Sequence, residues 1–191
     1  MKLARVNTCL LVAIILVCGY IILMPIVPMV SFWIAGRGGT RLQTLTARLH
    51  IPAARVSSVP ADNRLIVPSM LLDTPINEGT SAATLRNGTW RRPLTSTPDK
   101  GGNTVIVAHR FTYADPRGTF YYLNKVAVGD EIGIFWHRKR YVYKVANVAT
   151  VPANQVSVEA ATQAAQLTLY TCTPLWLPKD RLVVTAKLEK S

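Results

Sequence analysis

The residues of this chain whose types and placement suit bond-making chemistry are a cysteine, a histidine and an arginine, each at the end of an apolar run. Leu167-Thr168-Leu169-Tyr170-Thr171 has the alternation of a half-buried strand and ends on Cys172. After a loop containing Pro174 and Pro178, Arg181 opens a second apolar run, Leu182 to Leu188. A thiol at the rim of a sheet, beside a fixed cation, is well sited to react as thiolate. Taken alone, the same pattern reads equally well as a small core hydrophobe and a surface charge. What separates the two readings is a base. Val105-Ile106-Val107-Ala108 runs straight into His109 and Arg110. His50 falls in a linker-like stretch and His137 at a hairpin tip, so His109 is the histidine placed like a catalytic group. Arg110 reads as a solvated charge and Ala108 as a packing residue.

Cysteine usage favours the reactive reading. Cys9 and Cys18 lie in or beside an apolar N-terminal segment, which leaves Cys172 alone in the polar remainder. No disulfide framework can form there, and outside the cytoplasm an unpaired thiol is a liability unless its reactivity is used.

The elements that must position these residues begin with a membrane segment. Leu10 to Val30 is 21 residues without a charge, and the apolar stretch continues to Ala35. That is long enough to span a bilayer as a helix and longer than the apolar region of an ordinary signal peptide. Phe32 and Trp33 stand where interfacial aromatics belong, and Pro25 and Pro28 would kink the distal end. Residues 1–35 are therefore expected to be an uncleaved, single-pass anchor with a short cytoplasmic end, and the remainder is expected outside the cell. A cleaved signal peptide is the competing reading. Arg37, Arg41 and Arg48 balance Lys2 and Arg5, so loop charge gives no vote on orientation.

Residues 36–63 read as a stalk or linker. Leu42, Leu45 and Leu49 have the spacing of a short helix, but so small a stretch builds no core of its own. From Arg64 the texture changes to short apolar runs punctuated by Gly, Pro, Asn and Asp: Leu65 to Val67, Leu71 to Ile76, Asn103 to Ala108, Ile132 to Trp136 and Tyr141 to Val148. The last two flank a basic hairpin tip, His137-Arg138-Lys139-Arg140, with Gly129-Asp130 as the turn that leads in. Thr80 to Arg86 and Val158 to Ala165 suit short connecting helices. Residues 64–191 are thus expected to form an all-β sandwich or barrel.

The net charge is +12, and removing Lys2 and Arg5 leaves +10 on the rest. Such a chain favours anionic neighbours. The basic residues are scattered and no recognition helix, zinc finger or RNA-binding signature is present, so nucleic acid is not an expected partner. Anionic lipid headgroups or wall polymers fit better.

These motifs resemble those of the sortases, cysteine transpeptidases of Gram-positive-type cell envelopes. Thr168-Leu169-Tyr170-Thr171-Cys172 is similar to the family's Thr-Leu-x-Thr-Cys strand, Arg181 stands where its arginine follows the cysteine, and Gly102-Asn103 through Ala108-His109-Arg110 is similar to its histidine strand. Ile76-Asn77-Glu78-Gly79-Thr80, Val128-Gly129-Asp130-Glu131-Ile132 and Leu182-Val183-Val184 extend the resemblance over roughly residues 64 to 188. It implies an eight-stranded sortase-like β-barrel with short connecting helices behind an N-terminal transmembrane helix. It also implies that Cys172 is a nucleophile, His109 an acid and base, and Arg181 a stabiliser of the oxyanion or of the bound substrate. The implied substrates are proteins with a Leu-Pro-x-Thr-Gly (LPxTG)-like sorting signal. The implied acceptor is an amine, on a peptidoglycan precursor or a pilin lysine.

The loop from Thr173 to Asp180 would wall the substrate groove. Thr171, Leu175, Trp176 and Leu177 are the candidate substrate contacts. For Thr171 a packing role, and for the three loop residues a structural fold-back, remain equally open. A pilin-type lid is not expected, because the Asp115-Pro116 pair is followed by Arg117 and lies inside the barrel region. Nor is a metal or other cofactor, because the ten acids do not cluster. Ala186 to Ser191 carries no sorting signal, which suggests a processor of such signals rather than a substrate. Two other readings are a different wall-modifying cysteine enzyme, for which the Ser-x-Gly-Cys stretch of L,D-transpeptidases is missing, and a non-catalytic, membrane-tethered β-domain that binds anionic wall polymers.

Overall fold

The structure, a computed structural model, describes residues 2–37, 39–50, 60–112, 120–175 and 177–190. The alternating runs become eight strands: β1 (Arg64–Val67), β2 (Leu72–Glu78), β3 (Thr89–Arg91), β4 (Asn103–Val107), β5 (Glu131–Trp136), β6 (Lys139–Pro152), β7 (Gln166–Thr173) and β8 (Asp180–Lys190). They close into a barrel in the order β1-β2-β3-β4-β7-β8-β6-β5. Closure leaves no strand edge without a partner. The pairs β2–β3 and β4–β7 are parallel and the rest antiparallel. The expected all-β class and eight-stranded barrel are what the chain forms.

Side chains alternate across each strand, so one set from every strand fills the interior. Ile106, Ile134, Tyr143, Leu167, Leu169 and Val184 belong to that central cluster. A second, smaller cluster of Trp90, Val105 and Val107, with Leu85 and Tyr170 against it, lies on the other face of β4 and β7.

Several elements differ from the sequence expectation for local reasons. The hairpin tip is only His137 and Arg138, both with positive φ (49° and 62°), and Lys139 and Arg140 already belong to β6. A two-residue turn matches the twist of the strands it joins. β6 outruns the expected Tyr141 to Val148 because β8 pairs along it as far as Pro152↔Asp180. β3, three residues long, has no periodicity to announce it and exists through its neighbours β2 and β4. The expected connecting helices are 3₁₀ turns, Ala82–Asn87 and Val156–Glu159.

The N-terminal segment is a helix, α1 (Lys2–Leu23), followed after a turn at Met24 and Pro25 by α2 (Ile26–Arg37). Pro25 lacks the N–H that a continuous helix would need. Within α1, Arg5–Leu23 is long and apolar enough to cross a membrane, with mean hydropathy 2.6 and none of it buried against the rest of the chain. α2 and the turn before it lie beside Tyr121 and Tyr122. The Phe32 and Tyr122 rings are 4.2 Å apart, and the Tyr121 hydroxyl donates to the Pro25 carbonyl at 3.4 Å.

The 36–63 stretch builds no core alone, yet its helix α3 (Thr40–Leu49) is docked on the barrel. Leu45 and Leu49 pack with Ile66 of β1 and Phe135 of β5. Gly133 makes this docking possible, since a Cβ there would collide with Leu49 Cδ2. Arg48 pairs with Asp73, and His50 Nε2 lies 2.8 Å from Glu131 Oε2.

Candidate active site

β7 lies between β4 and β8, and the alternation of all three strands decides which side chains share a face. Leu167 and Leu169 point into the barrel with Thr171 next in step, so Thr168, Tyr170 and Cys172 point outward. On β4, Ile106 and Ala108 are interior while Val105 and Val107 are outward, and His109 continues the outward set. On β8, Leu182, Val184 and Ala186 are interior, which turns Arg181 outward.

Register then brings the three together. Cys172 pairs directly with Arg181 across the β7–β8 ladder. Along the parallel β4–β7 ladder the partners run to Val107↔Tyr170, and the Thr171 hydroxyl extends the match by donating to the Ala108 carbonyl at 2.8 Å. One step further sets His109 beside Cys172. Cys172 thus has Arg181 opposite it on β8, and His109, just past the end of β4, on its other side. Cys172 and His109 are both half-buried, and Cys172 is free of any disulfide. The side chain of Arg181 donates from Nη1 to the Asp180 carbonyl at 3.2 Å.

A thiol, an imidazole and a guanidinium on one partly open face can form a nucleophile, move a proton and steady a developing negative charge. Among the described residues no group of three or more His, Cys, Asp or Glu side chains is placed to hold a metal ion.

The surrounding residues are arranged as follows. Thr171 is 2% exposed and on the interior side, where its hydroxyl ties β7 to β4. Leu175 is half-buried in the loop after β7, and Leu177 is 72% exposed. Trp176 and the Asp115-Pro116 pair lie outside the described residues. Arg110 is not a solvated charge: its Nη1 donates to Thr173 Oγ1 at 2.6 Å, and burial holds its guanidinium pKa below the usual arginine value. That bond clamps the residue after His109 to the residue after Cys172.

Sequence reasoning missed a polar cluster on the same outward face. The Tyr170 hydroxyl donates to Glu159 Oε1, and Arg92 Nε donates to the same oxygen at 2.9 Å. Burial first, and then the bond to Glu159, push the Tyr170 hydroxyl pKa well above the ordinary tyrosine value. Asn103 Nδ2 donates to the carbonyls of Val158 (3.1 Å) and Ala160 (2.9 Å), while its Oδ1 accepts from the Thr168 hydroxyl at 2.8 Å. Glu159 is thereby held by its backbone on both sides as well as by its carboxylate. Of these residues, only the strand positions of Asn103, Thr168 and Tyr170 left a trace in the sequence.

Comparison with known proteins gives this geometry a family. A relative from Streptomyces coelicolor, Sortase SrtE1, is 31% identical over 140 residues, which is 65% of this chain and 39% of that protein. The chain thus spans well under half the length of this relative. Among solved structures, Sortase C1 of GBS Pilus Island 1 superposes with a TM-score of 0.61 at 28% identity, over 68% of this chain and 65% of that one. Sortase E1 from Streptomyces coelicolor with tripeptide in the active site superposes with a TM-score of 0.60 at 29% identity, over 68% of this chain and 88% of that one. The model of the Sortase family, described as the sortase domain, matches residues 65–189, the whole of the barrel from the start of β1 nearly to the end of β8, and this chain belongs to the sortase family.

Proposed function

We propose that this chain is a membrane-anchored sortase that cleaves an LPxTG-like sorting signal between Thr and Gly and transfers the protein to an amine. The observation that carries the reading is the placement of Cys172 between His109 and Arg181 on one outward face of β4, β7 and β8. The Cys172 thiolate attacks the threonine carbonyl carbon, forming a C–S bond, while the negative charge gathering on the oxygen is met by Arg181. As the C–N bond to glycine breaks, the His109 imidazolium gives its proton to the leaving amine. The thioester is then attacked by the acceptor amine, His109 takes the proton from that nitrogen, and the C–S bond breaks to regenerate the thiolate. The acceptor is a peptidoglycan precursor or a pilin lysine. Leu175 and Leu177, with Trp176 of the same loop, are the residues offered to the apolar part of the signal.

Support for the anchor comes from the apolar length of Arg5–Leu23. The catalytic domain then works on the outer side of the membrane, where a net charge of +10 beyond the first five residues suits an anionic envelope.

The test is transfer of a labelled amine onto an LPxTG peptide by the full chain in detergent. Wild-type protein should join the two, and Cys172→Ala and His109→Ala should each lose at least about a thousandfold in rate. Joining that persists in both variants would overturn the proposal.

A further inference from the structure

On the outward face that carries Cys172, Arg92 and Glu159 pair beside Tyr170, and Arg181 of β8 lies diagonally across the ladder from Tyr170, two residues from its partner Val183. The backbone on either side of the acid is held, because Asn103 Nδ2 donates to the Val158 and Ala160 carbonyls. The Glu159 carboxylate is engaged by the Tyr170 hydroxyl and by Arg92 Nε at 2.9 Å. Arg92 is itself set over the Trp90 ring, 4.7 Å from its centre. Arg181 is near enough for its charge to act on the Tyr170 hydroxyl, as do those of Glu159 and Arg92. Yet no ion pair to Arg181 occurs among the described residues, and its hydrogen bond is to the carbonyl of the preceding residue.

A fixed carboxylate beside an arginine ordinarily captures it in a forked pair. Here the carboxylate is already matched, so one positive charge remains over on this face, at the register position of the cysteine. We propose that Arg92 and Tyr170 are positioning residues that occupy Glu159 and so keep the Arg181 guanidinium available to the substrate. This inference rests on the role given to Arg181 under Proposed function. In this account Glu159 is a charge to be contained, and Arg92 acts through it rather than on the substrate.

The test measures the full chain in detergent in two ways. One is amine transfer onto the LPxTG peptide; the other is the Nε–Hε NMR signal of Arg181. Arg92→Gln should lower kcat/KM about tenfold and move the Arg181 signal, because Glu159 turns to pair with it. In a Glu159→Gln background the same Arg92→Gln change should cost less than about twofold and leave the signal in place. Loss of a merely structural contact would show no such rescue. Tyr170→Phe keeps the packing and removes one of the two restraints on Glu159. It should give a smaller loss, about threefold, suppressed by Glu159→Gln in the same way, and it decides the matter if Arg92→Gln does not fold. An unmoved Arg181 signal, or a loss that Glu159→Gln fails to suppress, would overturn the inference. If wild-type protein shows no Cys172-dependent joining, the functional reading fails on its own, and the Arg181 signal still decides whether Arg92 keeps Glu159 from it.

Discussion

At the scale of single residues, the alignment of the site depends on small contacts made behind it. The Thr171 hydroxyl reaches from β7 to the Ala108 carbonyl inside the barrel, and Arg110 bonds Thr173 at the rim. His109 and Cys172 are the neighbours of these two bridges. We predict that Thr171→Val, nearly the same shape, costs about 1 kcal/mol of stability and leaves the Ala108 carbonyl unpaired. Amine transfer should fall more steeply than that cost implies, because the two strand ends lose their shared register. Thermal unfolding and kcat, measured side by side, check it; an equal kcat would mean that the bridge serves folding alone. The strand-end positions of His109, Cys172 and Arg181 were legible in the sequence because each terminates or opens an apolar run, and a strand end is a local feature. Glu159 and Arg92 were not, since their meeting joins residues 67 apart in the chain. No local pattern encodes such a contact. Arg110 was misread for a related reason, because its partner Thr173 sits on another strand.

At the scale of elements, α3 shows how a stretch too weak to fold alone is recruited by a finished surface. Leu49 is wholly buried against β1 and β5, and the missing side chain of Gly133 gives it room. Leu49→Ala is predicted to cost about 2–5 kcal/mol of docking energy. Gly133→Ala, by crowding the same spot, should cost about 1–3 kcal/mol. Hydrogen exchange of the amides from Thr40 to Leu49 should speed up in both, while β7 and β8 stay protected. If α3 exchange is unchanged in both variants, its contact with the barrel contributes nothing to its order. The helix itself was readable from the spacing of Leu42, Leu45 and Leu49, but its docking was not, because the receiving face belongs to β1 and β5. Similarly, the strands with clean alternation were recognisable, whereas β3 is held in place by partners rather than by its own three residues.

At the scale of the whole molecule, a closed barrel carries the free thiol of Cys172 on its outward face and follows a helix long and apolar enough to cross a membrane. The barrel's tyrosines set an alkaline limit on its stability. Burial raises the hydroxyl pKa of both Tyr143 and Tyr170 above the ordinary 10.0. In the unfolded chain these groups ionise first, so their contribution is intact below pH 10 and is lost as pH rises through the folded-state values. Thermal unfolding followed from about pH 9 to pH 11 should show falling stability, and Tyr170→Phe should flatten the fall. Equal slopes in the two proteins would remove Tyr170 from that account. The barrel class was legible from short alternating runs, and its eight-strand closure from resemblance of motifs, since pairing order is a property of the complete sheet. The central claim concerns Cys172, and intact-protein mass spectrometry of the full chain, mixed with an LPxTG peptide and quenched in acid, tests it most directly. The account predicts an adduct equal to the peptide up to its threonine, mapped to Cys172 and discharged by an added amine; peptide cleavage proceeding with no such adduct, or with the adduct on another residue, would contradict it.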